Sequence, residues 1–425
     1  MRLLSRLFAI GIAVSGICFA ASAKPIKVTI VKKGDGYTLL RGGKPYFIKG
    51  AGGSSYLDKL VECGGNSIRT WNSNIGALNL KEAYQRGLTV TMGLSVGIER
   101  HGFNYDDTAA VHAQLETLRK EVRKYRDSSA LLIWDIGNEL NLNYKNPKVW
   151  DAVNGIAKMI HEEDPNHPAT TSLAGVNPKV VAEIIARCPD LDLLAVQVYG
   201  GLAKVPQQIR EAKWTKAYIV TEWGPTGHWE GPQTPWKASV EETSTEKAAV
   251  YKSRYEASIK VDKNCLGSYV FLWGQKQERT PTWYGLFTEN GETSEVVDVM
   301  QYLWTGSYPK NRAPHLDSLL LENKRGTNSV YLQAGKAYQA EAFVHDPEND
   351  KLTARWELLP ESTDLKTGGD HESRPEPIAG LIGDANTEHA IIKAPEKEGA
   401  YRLFLYVMDG HNHVATANIP FYVKP

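Results

Sequence analysis

Short apolar, β-branched runs separated by longer stretches of helical period restrict what residues 24–308 can fold into. Eight such runs can be counted: Tyr46-Phe47-Ile48, Ser67-Ile68-Arg69, Leu88 to Met92, Leu131 to Ile136, Thr170-Thr171-Ser172, Leu193 to Val198, Ala217 to Val220 and Gly267 to Leu272. Segments such as Ala109 to Tyr125 and Pro147 to Glu162 between them carry a helical pattern. A strand that reads as a continuous apolar run is covered on both faces, as in a parallel sheet wrapped by crossover helices. Eight repeats of strand and helix are the count of a (β/α)₈ barrel. A doubly wound sheet fits less well, because no Gly-rich dinucleotide fingerprint follows the first run. Ile26 to Leu40, turning at Gly34-Asp35-Gly36, reads as a hairpin able to plug the N-terminal face of the barrel.

Two further segments flank this unit. Arg2 and Arg6 precede the apolar run Leu7 to Ala20, and Ala21-Ser22-Ala23 offers a small-residue cleavage site. Residues 1–23 are therefore expected to be a signal peptide, and the mature chain to be periplasmic or secreted without a membrane anchor. From Pro309 the helical period stops. Pro309, Asn311 and Pro314 read as a linker. Alternating runs follow at Ser329 to Leu332, Ala337 to Val344, Thr353 to Leu358, Ala390 to Ile392, Tyr401 to Met408 and Ala415 to Val423, the pattern of an antiparallel β-sandwich over 309–425. Pro360 to Pro377 is expected to be a long loop.

Composition removes several partners. Lys+Arg and Asp+Glu are both 49, so no charge excess points to nucleic acid or another polyion. Cys63, Cys188 and Cys265 follow the signal; their spacing fits no zinc motif, and they read as buried thiols. No cofactor-binding or phosphate-binding motif appears.

The chemistry lies where carboxylates follow apolar strands. Asn138 and Glu139 end the fourth run, and Glu222 ends the seventh. Barrel active sites form at the C-terminal ends of strands, and a charge beside a buried run is costly without partners. Two such acids converging on one cavity are what retaining glycoside hydrolysis uses, one protonating the leaving oxygen and one attacking the anomeric carbon.

These residues resemble clan A glycoside hydrolases, the group of family 2 β-galactosidase-like and family 5 cellulase-like barrels, over about Tyr46 to Leu303. The resemblance implies a retaining mechanism on a β-linked sugar, of β-glucan type in the first instance, with carbohydrate as partner and neither cofactor nor metal. It implies Glu139 as acid/base and Glu222 as nucleophile. It further implies Asn138 as ligand of the sugar 2-hydroxyl, Arg69 and Tyr199 as partners of the nucleophile, and Trp273 as the sugar-stacking ring. Trp71 and Glu278 follow strand ends and are expected at sugar subsites, as are His228, Trp229, Gln275 and Lys276. His101 is a further candidate. Transglycosylation, or a non-catalytic carbohydrate-binding surface protein, stays open beside hydrolysis.

Asp346-Pro347-Glu348-Asn349-Asp350 is rich in oxygen ligands but lacks the Gly and final Glu of an EF-hand loop. The C-terminal region resembles Ig- or PKD-type modules, in which Asp-Pro and Asp-Gly turns (here also Asp409-Gly410) are usual. A turn rather than a metal site is expected there.

Overall fold

The structure is a computed structural model describing residues 24–425; the expected signal peptide lies outside the described residues. Eight parallel strands close into a barrel. They are β1 (Ile48–Gly52), β2 (Ser67–Arg69), β3 (Thr89–Leu94), β4 (Leu131–Asn138), β5 (Ala169–Ala174), β6 (Leu194–Gln197), β7 (Tyr218–Trp223) and β8 (Cys265–Val270). β8 closes on β1, with Gly267 opposite Ile48 and Val270 opposite Ala51. Helices α1 (Leu57–Glu62), α2 (Gly76–Gln85), α3 (Thr108–Tyr125), α4 (Lys148–Glu163), α5 (Pro178–Arg187), α6 (Val205–Glu211), α7 (Ser244–Ala257) and α8 (Glu295–Thr305) follow the strands.

Local chemistry sets these elements. Asp107 caps α3 by accepting from the amides of Ala109 and Ala110, and Thr243 with Glu246 forms a reciprocal capping box on α7. In α4, Val149, Val153, Ile156 and Ile160 recur every three or four residues and are buried. The N-terminal strands Val28–Lys33 and Gly36–Arg41 pair antiparallel. Val28 and Leu39 pack with Ile48, Leu132, Leu193 and Leu266. The Val28 amide donates to the carbonyl of Asn166, just before β5. The hairpin thus stoppers the N-terminal end and leaves the opposite end for chemistry. Cys63, Cys188 and Cys265 are free and buried.

Residues 315–424 form two packed sheets. One contains Thr353–Pro360, Gly399–Met408 and His413–Lys424, joined by Val330–Gln333; the other contains His315–Leu321, Ala337–His345, His389–Lys393 and Ile382–Gly383. His315–Leu321 is a strand absent from the sequence expectation. The first sheet also takes in Thr293–Ser294, the two residues that lead into α8, paired with His413 and Val414. Barrel and sandwich are further joined by a buried polar cluster. Glu241 accepts from Lys247 at 2.5 Å, Thr280 at 2.5 Å and Asn418 at 2.6 Å. Burial alone would raise the Glu241 carboxyl, but Lys247 and Thr280 outweigh it and hold it below its ordinary value.

Candidate active site

A cavity of about 920 Å³ opens at the C-terminal end of the barrel, lined by Glu139 and Glu222 together. Glu222 belongs to β7, and its carboxylate is almost fully buried. Three donors converge on it: Arg69 Nη1 at 2.5 Å and Trp71 Nε1 at 2.7 Å on Oε1, and the Tyr199 hydroxyl at 3.0 Å on Oε2. Burial pushes the Tyr199 phenol far up, with the charge of Glu222 adding to it, so the phenol keeps its proton and donates.

Arg69 has no exposed surface. It spans two carboxylates, reaching Asp135 Oδ2 through Nε (3.2 Å) and Nη2 (3.0 Å) as well as Glu222. Burial works against its charge, but Asp135 and Glu222 overcome that and raise its pKa further. Ser172 Oγ completes the shell of Asp135 at 2.7 and 2.9 Å. Asn138 is fixed from two sides: its Oδ1 accepts from Arg69 Nη2 at 2.8 Å and from Gln197 Nε2 at 2.7 Å. That orientation leaves the Asn138 amide nitrogen available to a ligand.

Glu139 follows the last residue of β4 in a left-handed backbone conformation (φ 50°), and its amide donates to the Ser172 carbonyl. Its carboxyl is pushed up to about 8, first by burial and then by the charge of Glu222. The two acids therefore sit in opposite electrostatic settings: Glu222 is ringed by donors, whereas Glu139 is held protonated near neutrality.

The remaining expected residues divide. Glu278 lines the cavity, with His228 Nε2 3.7 Å away and Lys276 Nζ at 2.8 Å. Burial would raise Glu278, but His228 and Lys276 outweigh it and lower its pKa. Trp71, His228, Trp229 and Gln275 also reach the cavity. Trp229 is 57 % exposed and meets both Tyr199 (5.5 Å) and His228 (4.8 Å) at right angles.

Trp273 corrects the sequence expectation. It is 1 % exposed, packs on Phe287 and Trp304, and donates to the carbonyl of Tyr56. It is core rather than cavity wall. β8 ends at Val270, so Phe271 and Leu272 line the cavity in its place. Arg69 likewise lies beneath the cavity rather than on its wall, acting on ligands only through Glu222 and Asn138. His101 is off the cavity, paired with Asp370 at 3.4 Å.

Sequence reasoning missed one whole wall. Lys366, Thr367, Gly368 and Gly369, from the long sandwich loop, line the cavity opposite the barrel loops. Three barrel residues pin this loop. Arg100 meets Asp370 at 3.1 Å, Lys276 donates to the Gly369 carbonyl at 2.7 Å, and Arg279 Nη1 meets the buried Glu372 at 2.8 Å. Gln197 was also missed; its Oε1 is buried without a donor and belongs to the cavity lining, a ready acceptor for a hydroxyl.

No family model matches the chain, and no curated protein matches its sequence. Solved structures do. β-Glucuronidase 2 of Bacteroides uniformis, covalently bound to cyclophellitol-6-carboxylate aziridine, aligns with a TM-score of 0.53 and 13 % identity, over 94 % of this chain and 48 % of that one. Faecalibacterium prausnitzii β-glucuronidase aligns at 0.51 and 17 % identity, over 66 % and 52 %. A putative β-galactosidase of Bacteroides fragilis aligns at 0.50 and 13 %, over 94 % and 57 %. The chain spans about half the length of these structures. At such identities the likeness is one of fold: a closed eight-stranded parallel barrel with β-structure beside it, as glycoside hydrolases of this kind have.

Proposed function

We propose that the protein is a retaining β-glycoside hydrolase working by double displacement. The observation that carries this reading is the unequal setting of two acids in one cavity, Glu222 held by three donors and Glu139 raised to about 8. Glu222 attacks the anomeric carbon while Glu139 gives its proton to the departing oxygen. The resulting glycosyl ester is then opened by water that Glu139, now ionised, deprotonates. The Tyr199 hydroxyl and Arg69 keep the nucleophile oriented, and the Asn138 amide nitrogen meets the hydroxyl beside the reacting carbon. No metal takes part in this scheme.

The substrate proposed is a β-linked oligosaccharide, β-glucan fragments first. The Lys366–Gly369 wall favours short chains or chain ends over a long polymer lying across the barrel. The neighbours named β-glucuronidase and β-galactosidase have β-glycosides in common, so β-glucuronides and β-galactosides belong in the same panel. The pattern of residues 1–23 supports an exported protein that meets such sugars outside the cytoplasm.

The test is to assay wild type and Glu222→Ala on aryl β-glycosides and β-oligosaccharides, following the first-formed anomer by NMR. A β-anomer that appears first, and disappears with Glu222→Ala, is expected. An α-anomer appearing first, or turnover surviving the substitution, overturns the mechanism.

A further inference from the structure

Two aspartate turns, beginning at Asp346 and 63 residues later at Asp409, meet at the junction between sandwich and barrel. One is Asp346 to Asp350, the other Asp409 to His413. One carboxylate oxygen from each of Asp346, Asp350 and Asp409 lies within 4.8 Å of the other two. Two ligands about 2.4 Å from one ion are at most about 4.8 Å apart, so the three oxygens are spaced to share one.

The hydrogen bonds show which oxygens the turns use. Asp346 Oδ1 accepts from the amides of Glu348 (2.9 Å) and Asp350 (2.8 Å), and Asp409 Oδ1 from those of His411 (2.7 Å) and His413 (3.2 Å). The turn amides thus account for one oxygen of each, and His413 Nδ1 meets the other oxygen of Asp409 at 2.7 Å. Asp346 is 93 % buried, and its Oδ2 has no donor among the described residues. The Asn311 carboxamide touches Asp350 through Nδ2, and its Oδ1 is likewise buried without a partner.

Charge balance points the same way. Among the described residues the ion-pair partners of the three acids are His411, 3.7 Å from Asp350, and His413, 2.7 Å from Asp409. No lysine or arginine among the described residues pairs with them, and Arg312 is taken by Glu348 at 3.1 Å. Buried carboxylates without a cation are costly. We propose that Asp346, Asp350 and Asp409, with the Asn311 carbonyl oxygen, bind a calcium ion. The donors are all oxygen, which suits a hard cation rather than zinc, and their mixed turn and linker origin suits the looser shell of calcium over magnesium.

Such an ion would tie three strands of chain at one point: the segment after α8 at Asn311, and both turns of the sandwich. The second turn also carries the barrel extension, since Asn412 accepts from the Thr293 amide at 2.9 Å and its side chain donates to the Gly291 carbonyl. The ion would therefore brace the junction and act on stability, since none of its four ligands lines the cavity.

The full chain, stripped with EDTA and dialysed, should be titrated with calcium chloride by calorimetry and melted with and without roughly 5 mM calcium, above the weak class of calcium sites. One-to-one binding and a Tm raised by several degrees are expected, both lost in Asp346→Asn, which keeps the Oδ1 acceptor of the turn. Should that variant fail to fold, the more exposed Asp350→Asn gives the same reading. No heat and no Tm change in wild type, or a wild-type response in the variants, overturns the site.

Discussion

Arg69 Nη1 lies 2.5 Å from Glu222 Oε1 at the floor of the cavity, from a position with no solvent contact. The same guanidinium neutralises Asp135, itself fully buried. Removing it would strand two carboxylates. Arg69→Ala should therefore lose roughly 3–5 kcal/mol of stability, the cost of breaking a buried pair from one side. Arg69→Lys should lose less stability but still lower kcat, because an ammonium cannot span both acids with a planar fork. Denaturant unfolding and turnover measured on both variants check this; equal stability of Arg69→Ala and wild type would contradict it.

Glu139 gives a pH dependence of defined sign. Its carboxyl moves from an ordinary 4.5 to about 8 on folding. Between those values the folded chain holds a proton that the unfolded chain has released. The stability contributed by this group is complete below 4.5 and is lost as pH rises through about 8. In the proposed mechanism the first step needs the same proton, so its rate should fall on an alkaline limb near pH 8. Glu139→Gln should flatten both profiles and lower turnover of poor leaving groups by about 10²–10⁴-fold. A wild-type limb unchanged in the variant would assign it elsewhere.

Trp273 and Trp229 should behave oppositely. Trp273→Ala empties a packed core site and should cost about 3–5 kcal/mol. Its effect on KM should follow only from that loss. Trp229→Ala should leave the Tm within about a degree, being a surface change, and raise KM. Paired melting curves and saturation kinetics distinguish the two.

Glu372 anchors the sandwich loop, accepting from the Arg279 amide at 2.6 Å, from Arg279 Nη1 and from the Lys366 amide at 2.9 Å. Glu372→Ala should free the wall at Lys366–Gly369. KM for short substrates should rise about tenfold, a loss of about 1.4 kcal/mol in binding, while longer chains gain relative to short ones. Product sizing with an oligosaccharide ladder measures the ratio.

The barrel was legible because its strands are buried on both faces. Leu131 to Ile136, apolar except for Asp135, and Ala217 to Val220 are apolar runs, and the acids that follow them stand out against that background. What escaped shows where local pattern stops. Gln197 looked like strand interior, since one amide in Leu193 to Val198 does not disturb an apolar run. Trp273 was placed in the cavity by letting β8 run on to Leu272; the strand ends at Val270, and beyond it Phe271 and Leu272 both line the cavity, so strand alternation no longer says where Trp273 lies. His315–Leu321 was hidden by the prolines just before it. The loop wall had no local signal whatever, because Lys366 reaches the cavity only through the docking of a segment more than two hundred residues away from Asn138.

In the proposed enzyme, that docking makes the sandwich a co-author of selectivity. A binding module hung on a tether can be exchanged between enzymes without altering what the catalytic unit accepts. Here a graft of a foreign sandwich onto this barrel would carry away Lys366–Gly369 and the partners of Arg100 and Arg279, and would hand the acids a differently shaped vestibule. In the proposed enzyme, change in the C-terminal hundred residues is thus a route by which the same pair of glutamates would come to serve another sugar.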